Sequence, residues 1–386
     1  MNRNMMMLST TPWNSPYKFR RQHFSRVLAS HGWKVFYVDP TVSLPAKIRK
    51  LKWRALWAGD HAGRTVTEAE DGRLRVFKPR TGLPYYCRGN RVTRWDRLAA
   101  RGALQRAAQR FFGGERYLQV LYNPFDYYLL RHDLPSVFDI VDNWTSYPGM
   151  ERAAAMLRDC QRLLCQECSA LVTTTESLIP EGFDRSRATV IPNGVDMDLY
   201  PVSALAEPAE TRNIPRPRAI YAGALWEWFD FDLLADVARR LSHLGIILIG
   251  FNKRPLPPLP ENVFFLGPRK QQDLPYYFAN ADVGLIPFRE DDLSTHVNPL
   301  KFYEYMAGGL PCVSVPMLPL SEFKREGILD FASGAEAFAR SISMMIPWRH
   351  SRMDERRRIA SEHDWKVLGL QFQNVLESLS PGPHNS

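Results

Sequence analysis

Short apolar runs alternate with helix-length amphipathic segments along the first half of the chain. The apolar runs predict strands at residues 5–9, 34–39, 117–122, 137–142 and 170–175. The segments between them predict helices at residues 21–31, about 91–112, near 126–131 and at 149–168. Residues 41–90 lack this alternation, so we expect an irregular basic insertion at the edge of a sheet. Strands that alternate with helices indicate a parallel sheet covered by helices.

A second alternating series follows the polar, proline-rich stretch at residues 201–217, which we interpret as a linker. The predicted strands lie at residues 219–222, 246–249, 263–266, 283–288 and 312–315, and the predicted helices at 229–243, 274–280, 298–308 and 350–379. We therefore expect one domain at 1–200, a second at 218–360, and a closing helix and tail at 361–386. Two such sheets predict a cleft between them, because parallel sheets bind ligands beyond the carboxyl ends of their strands.

The composition fits this two-domain interpretation. The chain has 386 residues, of which 45% are hydrophobic and 24% charged, as in globular proteins. No apolar run approaches the length of a membrane span, and the one at residues 5–8 is too short for a signal peptide, so we expect a cytoplasmic protein. Five cysteines indicate a reducing compartment rather than a disulfide framework. Cys165 and Cys168 have a metal-like spacing, but we interpret them as buried helix residues rather than zinc ligands.

The predicted helix that begins near residue 298 carries the first candidate chemistry. Asn298 can cap it, Pro299 suits the first helical position, and Gly308-Gly309 ends it. At 3.6 residues per turn, Lys301 faces the same side as Glu304 or Tyr305. One cation and one carboxylate would suit a ligand that has phosphates at one end and hydroxyls at the other.

Two further candidates follow predicted strands. Gly223 follows the strand at 219–222 and precedes a helix, so it could form either a phosphate-binding loop or only a tight turn. Asp142 ends the strand at 137–142, where it could act as a general base or merely cap the next segment. The sequence contains neither G-x-x-x-x-G-K-[ST] nor G-x-G-x-x-G after a first strand, which argues against P-loop ATPases and nicotinamide oxidoreductases.

Several of these motifs together resemble a known group, the bacterial GT-B glycosyltransferases, and within it glycosyltransferase family 4 and the xanthan-type glucuronosyltransferases. The motifs are Ile191-Pro-Asn-Gly-Val-Asp196, Tyr221-Ala-Gly-Ala-Leu225, Trp228-Phe-Asp230, Leu285-Ile-Pro-Phe288 and Asn298-Pro-Leu-Lys-Phe-Tyr-Glu-Tyr305. The resemblance implies two Rossmann-like parallel-sheet domains that face a cleft, an acceptor-binding first domain, a nucleotide-sugar-binding second domain, and a C-terminal helix that returns toward the first.

The resemblance also implies roles for individual residues. Lys301 would meet the donor diphosphate and Glu304 the ribose hydroxyls, with Asp142 as the base for the acceptor hydroxyl. The donor-binding residues would be Gly223, Ala224, Trp228, Phe288, Asn298, Pro299, Leu300, Lys301, Glu304 and Tyr305. Lys301 and the helix dipole can stabilise the leaving group, so we expect neither a metal ion nor a cofactor.

One position departs from the resemblance. Members of family 4 commonly carry two glutamates seven residues apart, and the first of these positions is Val297 here. The substitution weakens the inference of a retaining mechanism and favours an inverting one with Asp142 as base.

The formal net charge of +9 favours an anionic partner, and the basic residues cluster in the first half. We expect peripheral contact with an anionic membrane through residues 47–57 and 88–110, at the inner face of the plasma membrane, and no nucleic acid. The candidate acceptor or membrane residues are Trp13, Arg20, Lys50, Lys52, Trp53 and Arg54.

The predicted function is transfer from a nucleotide-diphosphate-sugar, such as a UDP-sugar, to a glycan or lipid-linked acceptor in cell-surface polysaccharide synthesis. The alternative is a nucleotide-sugar-binding protein or a sugar-nucleotide epimerase on the same fold.

Overall fold

The computed structural model describes residues 3–40, 65–68, 72–79, 90–146, 151–203, 205–252 and 255–379. Contacts divide the chain into a first unit, Met1–Ile191 with Leu368–Ser386, and a second unit, Pro192–Val367. In the described residues, no helix combines the length and the apolar character needed to cross a membrane.

The first unit is built on an eight-stranded sheet. Its strands are β1 (Asn4–Leu8), β2 (Lys34–Val38), β3 (Thr65–Glu68), β4 (Leu74–Phe77), β5 (Leu118–Leu121), β6 (Ser136–Ile140), β7 (Ala170–Thr173) and β8 (Ala188–Val190). They lie in the order β3-β4-β2-β1-β5-β6-β7-β8, and every pair is parallel except β3 with β4. The five strands predicted in this half are confirmed, because their continuous apolar runs are the pattern of a sheet buried on both faces.

Two described parts of the range 41–90 form the strands β3 and β4. β4 extends the sheet beside β2, and its side chains Leu74, Val76 and Phe77 are buried. The prediction of an irregular segment was therefore wrong for β3 and β4, whereas the predicted position at the edge of the sheet is correct, because these two strands lie at one end of the strand order. The apolar residues of β4 are few and flanked by charges, which hid the strand in the sequence.

Helices α1 (Arg20–Ser30), α2 (Asn90–Phe112) and α3 (Ala154–Glu167) belong to the first unit, and residues Pro124–Leu129 form a 3-10 helix. The core of this unit is aromatic: Phe36 packs 6.2 Å from Phe112, which stacks 4.9 Å from Tyr117. Cys165 and Cys168 lie in the same core. Burial raises the pKa of Cys165 to about 12 and that of Cys168 to about 11, so both are thiols.

The second unit contains a six-stranded parallel sheet. Its strands are β9 (Arg218–Ala222), β10 (Gly245–Ile249), β11 (Val263–Gly267), β12 (Val283–Ile286), β13 (Cys312–Ser314) and β14 (Leu329–Phe331), in the order β11-β10-β9-β12-β13-β14. Its helices are α4 (Phe231–Arg240), α5 (Leu274–Ala279), α6 (Asp292–His296), α7 (Leu300–Ala307), α8 (Ala335–Met345) and α9 (Met353–Glu362). The described chain thus forms two parallel-sheet α/β units of the Rossmann type, as predicted. The elements β8, β14, α6 and α8 were not anticipated.

The predicted linker packs against the second unit. Arg218 is 2% exposed and donates to the carbonyls of Thr211 and Ile214. Glu210 accepts a 2.6 Å hydrogen bond from the Tyr277 hydroxyl, which is the main reason that its pKa is lowered to about 2. These contacts tie the predicted linker to the second unit. The chain passes between the units at Ile191 and Pro192, before the predicted linker.

The closing segment is two helices rather than the single one predicted. α9 ends at Glu362, and α10 spans Trp365–Leu379, so Trp365 begins a helix instead of lying in the middle of one. The side chain of Phe372 stacks 4.8 Å from Phe24 of α1. A Cβ on Gly369 would lie 2.7 Å from Val27, so only glycine permits this close approach. The C-terminal helix therefore returns to the first unit, as predicted.

Candidate functional site

The strand order of the second sheet reverses beside β9, which has β10 on one side and β12 on the other. Parallel α/β sheets bind ligands at such a switch point, beyond the carboxyl ends of the strands. The segment that follows β9 begins at Gly223, and α4 starts after it with Asp230 as the N-cap, whose carboxylate accepts from the N–H of Asp232 and of Leu233. The candidate donor residues predicted from the sequence gather around this point.

Gly223 lies where two backbones and one long side chain come together. A Cβ at this position would be 2.7 Å from the Tyr221 hydroxyl and 2.8 Å from Cε of Lys301. The neighbouring strand end is equally tight: Gly250 has φ +156°, and a Cβ there would lie 1.7 Å from the Gly223 carbonyl oxygen. Glycine is therefore required at Gly250. At Gly223 a larger residue would displace the Tyr221 hydroxyl and the stem of Lys301, which lies directly over the Gly223 backbone.

Lys301 and Glu304 form an ion pair in the first turns of α7. The lysine Nζ lies 2.7 Å from Glu304 Oε2, and the two side chains are 21% and 8% exposed, respectively. The sequence predicted that the pair shares one face of a helix, and this is what the structure contains. A cation that lies over a glycine at a strand's carboxyl end is well placed to meet a phosphate, and its carboxylate neighbour can accept from hydroxyls.

Asn298 has a different position from the predicted helix cap. α7 begins at Leu300 with Pro299 at the N-cap position and no side-chain cap. Asn298 is 3% exposed; its Oδ1 accepts from the Asn193 N–H at 2.9 Å, and its carbonyl accepts from Asn193 Nδ2 at 2.8 Å. Its Nδ2 donates to the Tyr303 hydroxyl at 3.0 Å. We call Asn193, Asn298 and Tyr303 the asparagine clamp, because all polar groups of the Asn298 side chain are used to fix the start of α7.

The asparagine clamp continues to the segment before α10. Tyr303 stacks on His363 with ring centroids 4.6 Å apart. His363 is followed by Asp364, which pairs with Val195 in a short parallel bridge. Burial lowers the pKa of His363, so its ring is neutral against the tyrosine. The helix that carries Lys301 is thus fixed by buried contacts to chain segments on both sides of it.

Aromatic side chains surround the segment after β9. Trp228 lies half-buried with its ring 5.1 Å from that of Trp226. Phe288 is 8% exposed and lies 6.2 Å from the Tyr221 ring. The Tyr221 hydroxyl donates to the carbonyl of Ala224, which holds this half-buried residue beside Gly223.

Three of the predicted donor residues lie near Lys301 with different exposure. Pro299 is buried and Leu300 is half-buried at the start of α7. Tyr305 is fully buried; its hydroxyl donates to the Leu285 carbonyl at 3.0 Å and accepts from the Ala222 N–H at 3.3 Å. The prediction that Tyr305 contacts a ligand is corrected by this placement, because its ring packs between α7 and the face of the sheet and its hydroxyl bonds to β9 and β12.

Asp142 lies in the first unit, two positions beyond the end of β6. The preceding residue, Val141, accepts a hydrogen bond at 2.8 Å from the Thr174 hydroxyl, which ties this segment to the end of β7. Asp142 is half-buried and remains at the carboxyl edge of the sheet. Its position is compatible with either of the two roles that the sequence left open.

Two of the predicted acceptor or membrane residues are in the core of the first unit. Trp13 is 3% exposed and packs 5.0 Å from Tyr37. Arg20 is 2% exposed, and its Nε donates to Asp139 Oδ2 at 2.8 Å. Burial and pairing correct the prediction that these two side chains meet a membrane or an acceptor. Lys50, Lys52, Trp53 and Arg54 lie outside the described residues.

Sequence reasoning missed Asn193, Gly250 and Tyr303. The motif that contains Asn193 contributes only to the family resemblance, and the pairing of Asn193 with Asn298 spans 105 positions. Gly250 ends an apolar run immediately before Phe251, and that was the one available signal for a close approach. Throughout the described ranges, no group of three or more His, Cys, Asp or Glu side chains is arranged to hold a metal ion.

Residues 216–346 match the family described as "Glycosyl transferases group 1". The chain is 23% identical over 236 residues to the "Putative teichuronic acid biosynthesis glycosyltransferase TuaH" of Bacillus subtilis (strain 168). That alignment covers 57% of this chain and 58% of the relative's length. The matched family segment contains Gly223, Lys301 and Glu304.

Solved structures are similar over nearly the whole chain. Sucrose-phosphate synthase from Thermosynechococcus elongatus superposes with a TM-score of 0.72 at 14% identity, over 98% of this chain and 99% of that one. Anabaena HepE, solved in complex with UDP and glucose, gives a TM-score of 0.65 at 14% identity, over 97% and 99%. These likenesses show the fold, which is GT-B as predicted.

Proposed function

We propose that the chain is a glycosyltransferase that moves a sugar from a nucleotide-diphosphate-sugar, in particular a UDP-sugar, to an acceptor hydroxyl. The observation that carries the proposal is the position of Lys301 over Gly223, with Glu304 2.7 Å from the lysine Nζ, in the segment that matches group 1 glycosyl transferases. A UDP complex of a protein with the same fold supports the choice of nucleotide.

In this proposal the donor diphosphate replaces Glu304 as the partner of Lys301. The ammonium group and the N-terminus of α7 then stabilise the negative charge that grows on the leaving diphosphate. Glu304, released from the ion pair, accepts hydrogen bonds from the ribose hydroxyls. Transfer by this route is metal-independent because the lysine and the helix dipole supply the positive charge.

Asp142 is the proposed general base. The acceptor hydroxyl loses its proton to this carboxylate as its oxygen attacks the anomeric carbon and the bond to the diphosphate breaks. Val297 stands where relatives commonly carry a second glutamate, and its side chain packs against the core of the second unit. Position 297 therefore offers no carboxylate, which favours inversion of the anomeric centre.

The proposed acceptor is a glycan or a lipid-linked glycan of cell-surface polysaccharide synthesis, and the transferred sugar is a hexose or a hexuronic acid. The name of the Bacillus relative, which refers to teichuronic acid biosynthesis, supports this pathway. Peripheral contact with an anionic membrane on the cytoplasmic side would be made by the basic segments 47–57 and 88–110. Flotation with anionic liposomes at low and high salt tests this contact, and no binding at low salt would rule it out.

The function is tested by calorimetric titration with a panel of nucleotide sugars, followed by assays for UDP release. A transferase releases UDP only when an acceptor is present, so lipid and glycan extracts are supplied with the donor that binds. Interconversion of the donor sugar without UDP release would instead identify an epimerase. Binding without either reaction would identify a nucleotide-sugar-binding protein.

A further inference from the structure

The first sheet has a switch point of its own. β1 lies between β2 and β5, so the strand order reverses beside β1 as it does beside β9 in the second sheet. The chain leaves β1 through Ser9 and Thr11, and it leaves β5 at Tyr122. General rules for parallel sheets place a ligand at this edge, yet neither of the two core residues Trp13 and Arg20 is available to meet one.

The helix that begins at this switch point has an unusual first turn. α1 starts with Arg20 and Arg21, and its first turn contains no acidic residue. The N-terminus of a helix already carries partial positive charge, so two arginines there are unfavourable unless an anion compensates them. Asp139 compensates Arg20, since the two buried side chains are 2.8 Å apart.

Arg21 has no comparable partner in the part of the chain that the structure describes. It is 8% exposed, its guanidinium lies 4.4 Å from the centre of the Tyr122 ring, and its Nη1 is 3.4 Å from the Thr11 hydroxyl. Among the described residues, its buried Nε has no hydrogen-bond partner. No carboxylate of the described residues forms an ion pair with it. A buried cation is costly unless it is paired, and the tyrosine face offsets only part of that cost.

We propose that Arg21 and Thr11 form an oxyanion site at the switch point of the first sheet, and that the oxyanion is a phosphate group of the acceptor. The guanidinium can donate to two phosphate oxygens and the Thr11 hydroxyl to a third, while the N-terminus of α1 adds a favourable field. Three donors from two directions suit a tetrahedral anion better than a planar carboxylate. The assignment to the acceptor rests on the proposed function, whereas the oxyanion site itself does not.

Inorganic phosphate is the probe for the site. Titrations use the Lys301→Ala background, so that the cation proposed to hold the donor is absent. We expect Lys301→Ala to bind phosphate and Lys301→Ala/Arg21→Gln to bind it at least tenfold more weakly, because the charged fork is lost. Arg26→Gln in the same background is the matched control, since Arg26 is an exposed cation on the same helix, and it should leave the phosphate affinity unchanged. Equal affinity with and without Arg21, or no phosphate binding in Lys301→Ala, would overturn the site.

Arg21→Lys covers the case in which Arg21→Gln does not fold. The lysine keeps the charge but loses the forked geometry of the guanidinium. Phosphate should therefore bind Lys301→Ala/Arg21→Lys several-fold more weakly than Lys301→Ala. A phosphate affinity equal to that of Lys301→Ala would again overturn the site.

Steady-state kinetics then test the source of the oxyanion. We expect Arg21→Gln to raise the KM for a phosphorylated acceptor tenfold or more, with the KM for the donor unchanged, and to leave the KM for the dephosphorylated acceptor unchanged. A weakened phosphate affinity with an unaltered acceptor KM would mean that the site takes free phosphate, and it would overturn the assignment to the acceptor. UDP binding by wild type and Arg21→Gln is measured in parallel: loss of UDP binding in both proteins would count against the proposed function and not against this site.

Discussion

The two sheets reverse their strand order at corresponding points, but the residues there differ in kind. Beside β9 the residues are small, and the backbones of Gly223 and Gly250 approach each other closely. The cation there, Lys301, is paired with the Glu304 carboxylate. Beside β1 the side chains are large and basic, and Arg21 lies on an aromatic ring without a carboxylate partner among the described residues.

The difference indicates what each switch point can hold. The glycine at the end of β9 lets the Lys301 stem lie against the backbone, and the Lys301–Glu304 pair can separate to serve a phosphate and a hydroxyl. A buried arginine on a tyrosine face can hold only the charged end of a ligand. Donor binding at the second unit and acceptor binding at the first unit are the functions that these arrangements favour, and the following changes test that division.

Asp142→Asn should have the largest effect on catalysis. Loss of a general base lowers turnover by about 100- to 10,000-fold, whereas the affinity for UDP should not change because Asp142 belongs to the first unit. Turnover and UDP titration are measured together. Asp159→Asn, an exposed acid of the same unit, is the control. Wild-type turnover in Asp142→Asn would leave Asp142 as a structural cap.

Lys301→Ala should lower turnover by about a hundredfold or more and also weaken UDP binding, because one preorganised charge contact to the diphosphate is lost. Lys324→Ala is the control, since this lysine is exposed in the same unit. UDP release is measured at saturating acceptor. Near wild-type turnover and UDP affinity would remove Lys301 from the site.

Asn298→Ala should lower UDP affinity by about tenfold and destabilise the fold by about 1–3 kcal/mol, since the Asn193 N–H and the Tyr303 hydroxyl lose buried partners. A double-mutant cycle with Tyr303→Phe isolates the hydrogen bond that joins the side chains of Asn298 and Tyr303. We expect the paired variant to lose less stability than the sum of the two single variants, because both changes remove the same hydrogen bond. Additive losses would show that the two side chains act separately.

The smallest expected effect concerns pH. Burial, together with the Arg26 and Lys18 charges, lowers the pKa of His23 in the first unit from 6.5 to about 3. Between these pH values the unfolded chain binds a proton that the folded chain does not, so stability is lost as the pH falls from 6.5 toward 3. From pH 7.5 to 5.5 this histidine should remove about 1 kcal/mol from the free energy of unfolding in urea.

His23→Gln should remove that part of the loss, and His243→Gln, an exposed histidine of the second unit, should behave as the wild type. An equal loss in His23→Gln and wild type would show that another group dominates the acid sensitivity.

The sequence predicted the strands well where both faces of the sheet are covered, because a continuous apolar run is a strong signal. It predicted the Lys301–Glu304 pair because helical spacing alone brings positions 301 and 304 together. The sequence did not predict β4, because its apolar run is short and is interrupted by Arg75.

The errors concern contacts between distant parts of the chain. Arg20 looked like a surface cation because its partner, Asp139, is 119 positions away. Asn298 looked like a helix cap because caps are local, whereas its actual partner is Asn193. The composition gives the number of charged residues but not which of them the tertiary fold buries. For the same reason, the burial of Arg21 could not be predicted from the sequence.

Hydrogen–deuterium exchange of the full chain with and without UDP tests the central claim most directly. UDP should protect the amides that follow β9 near Gly223 and those at the start of α7 around Lys301, with the effect lost in Lys301→Ala and retained in Lys324→Ala. Protection confined to the first unit, or the same pattern in Lys301→Ala as in wild type, would contradict donor binding at the switch point of the second sheet.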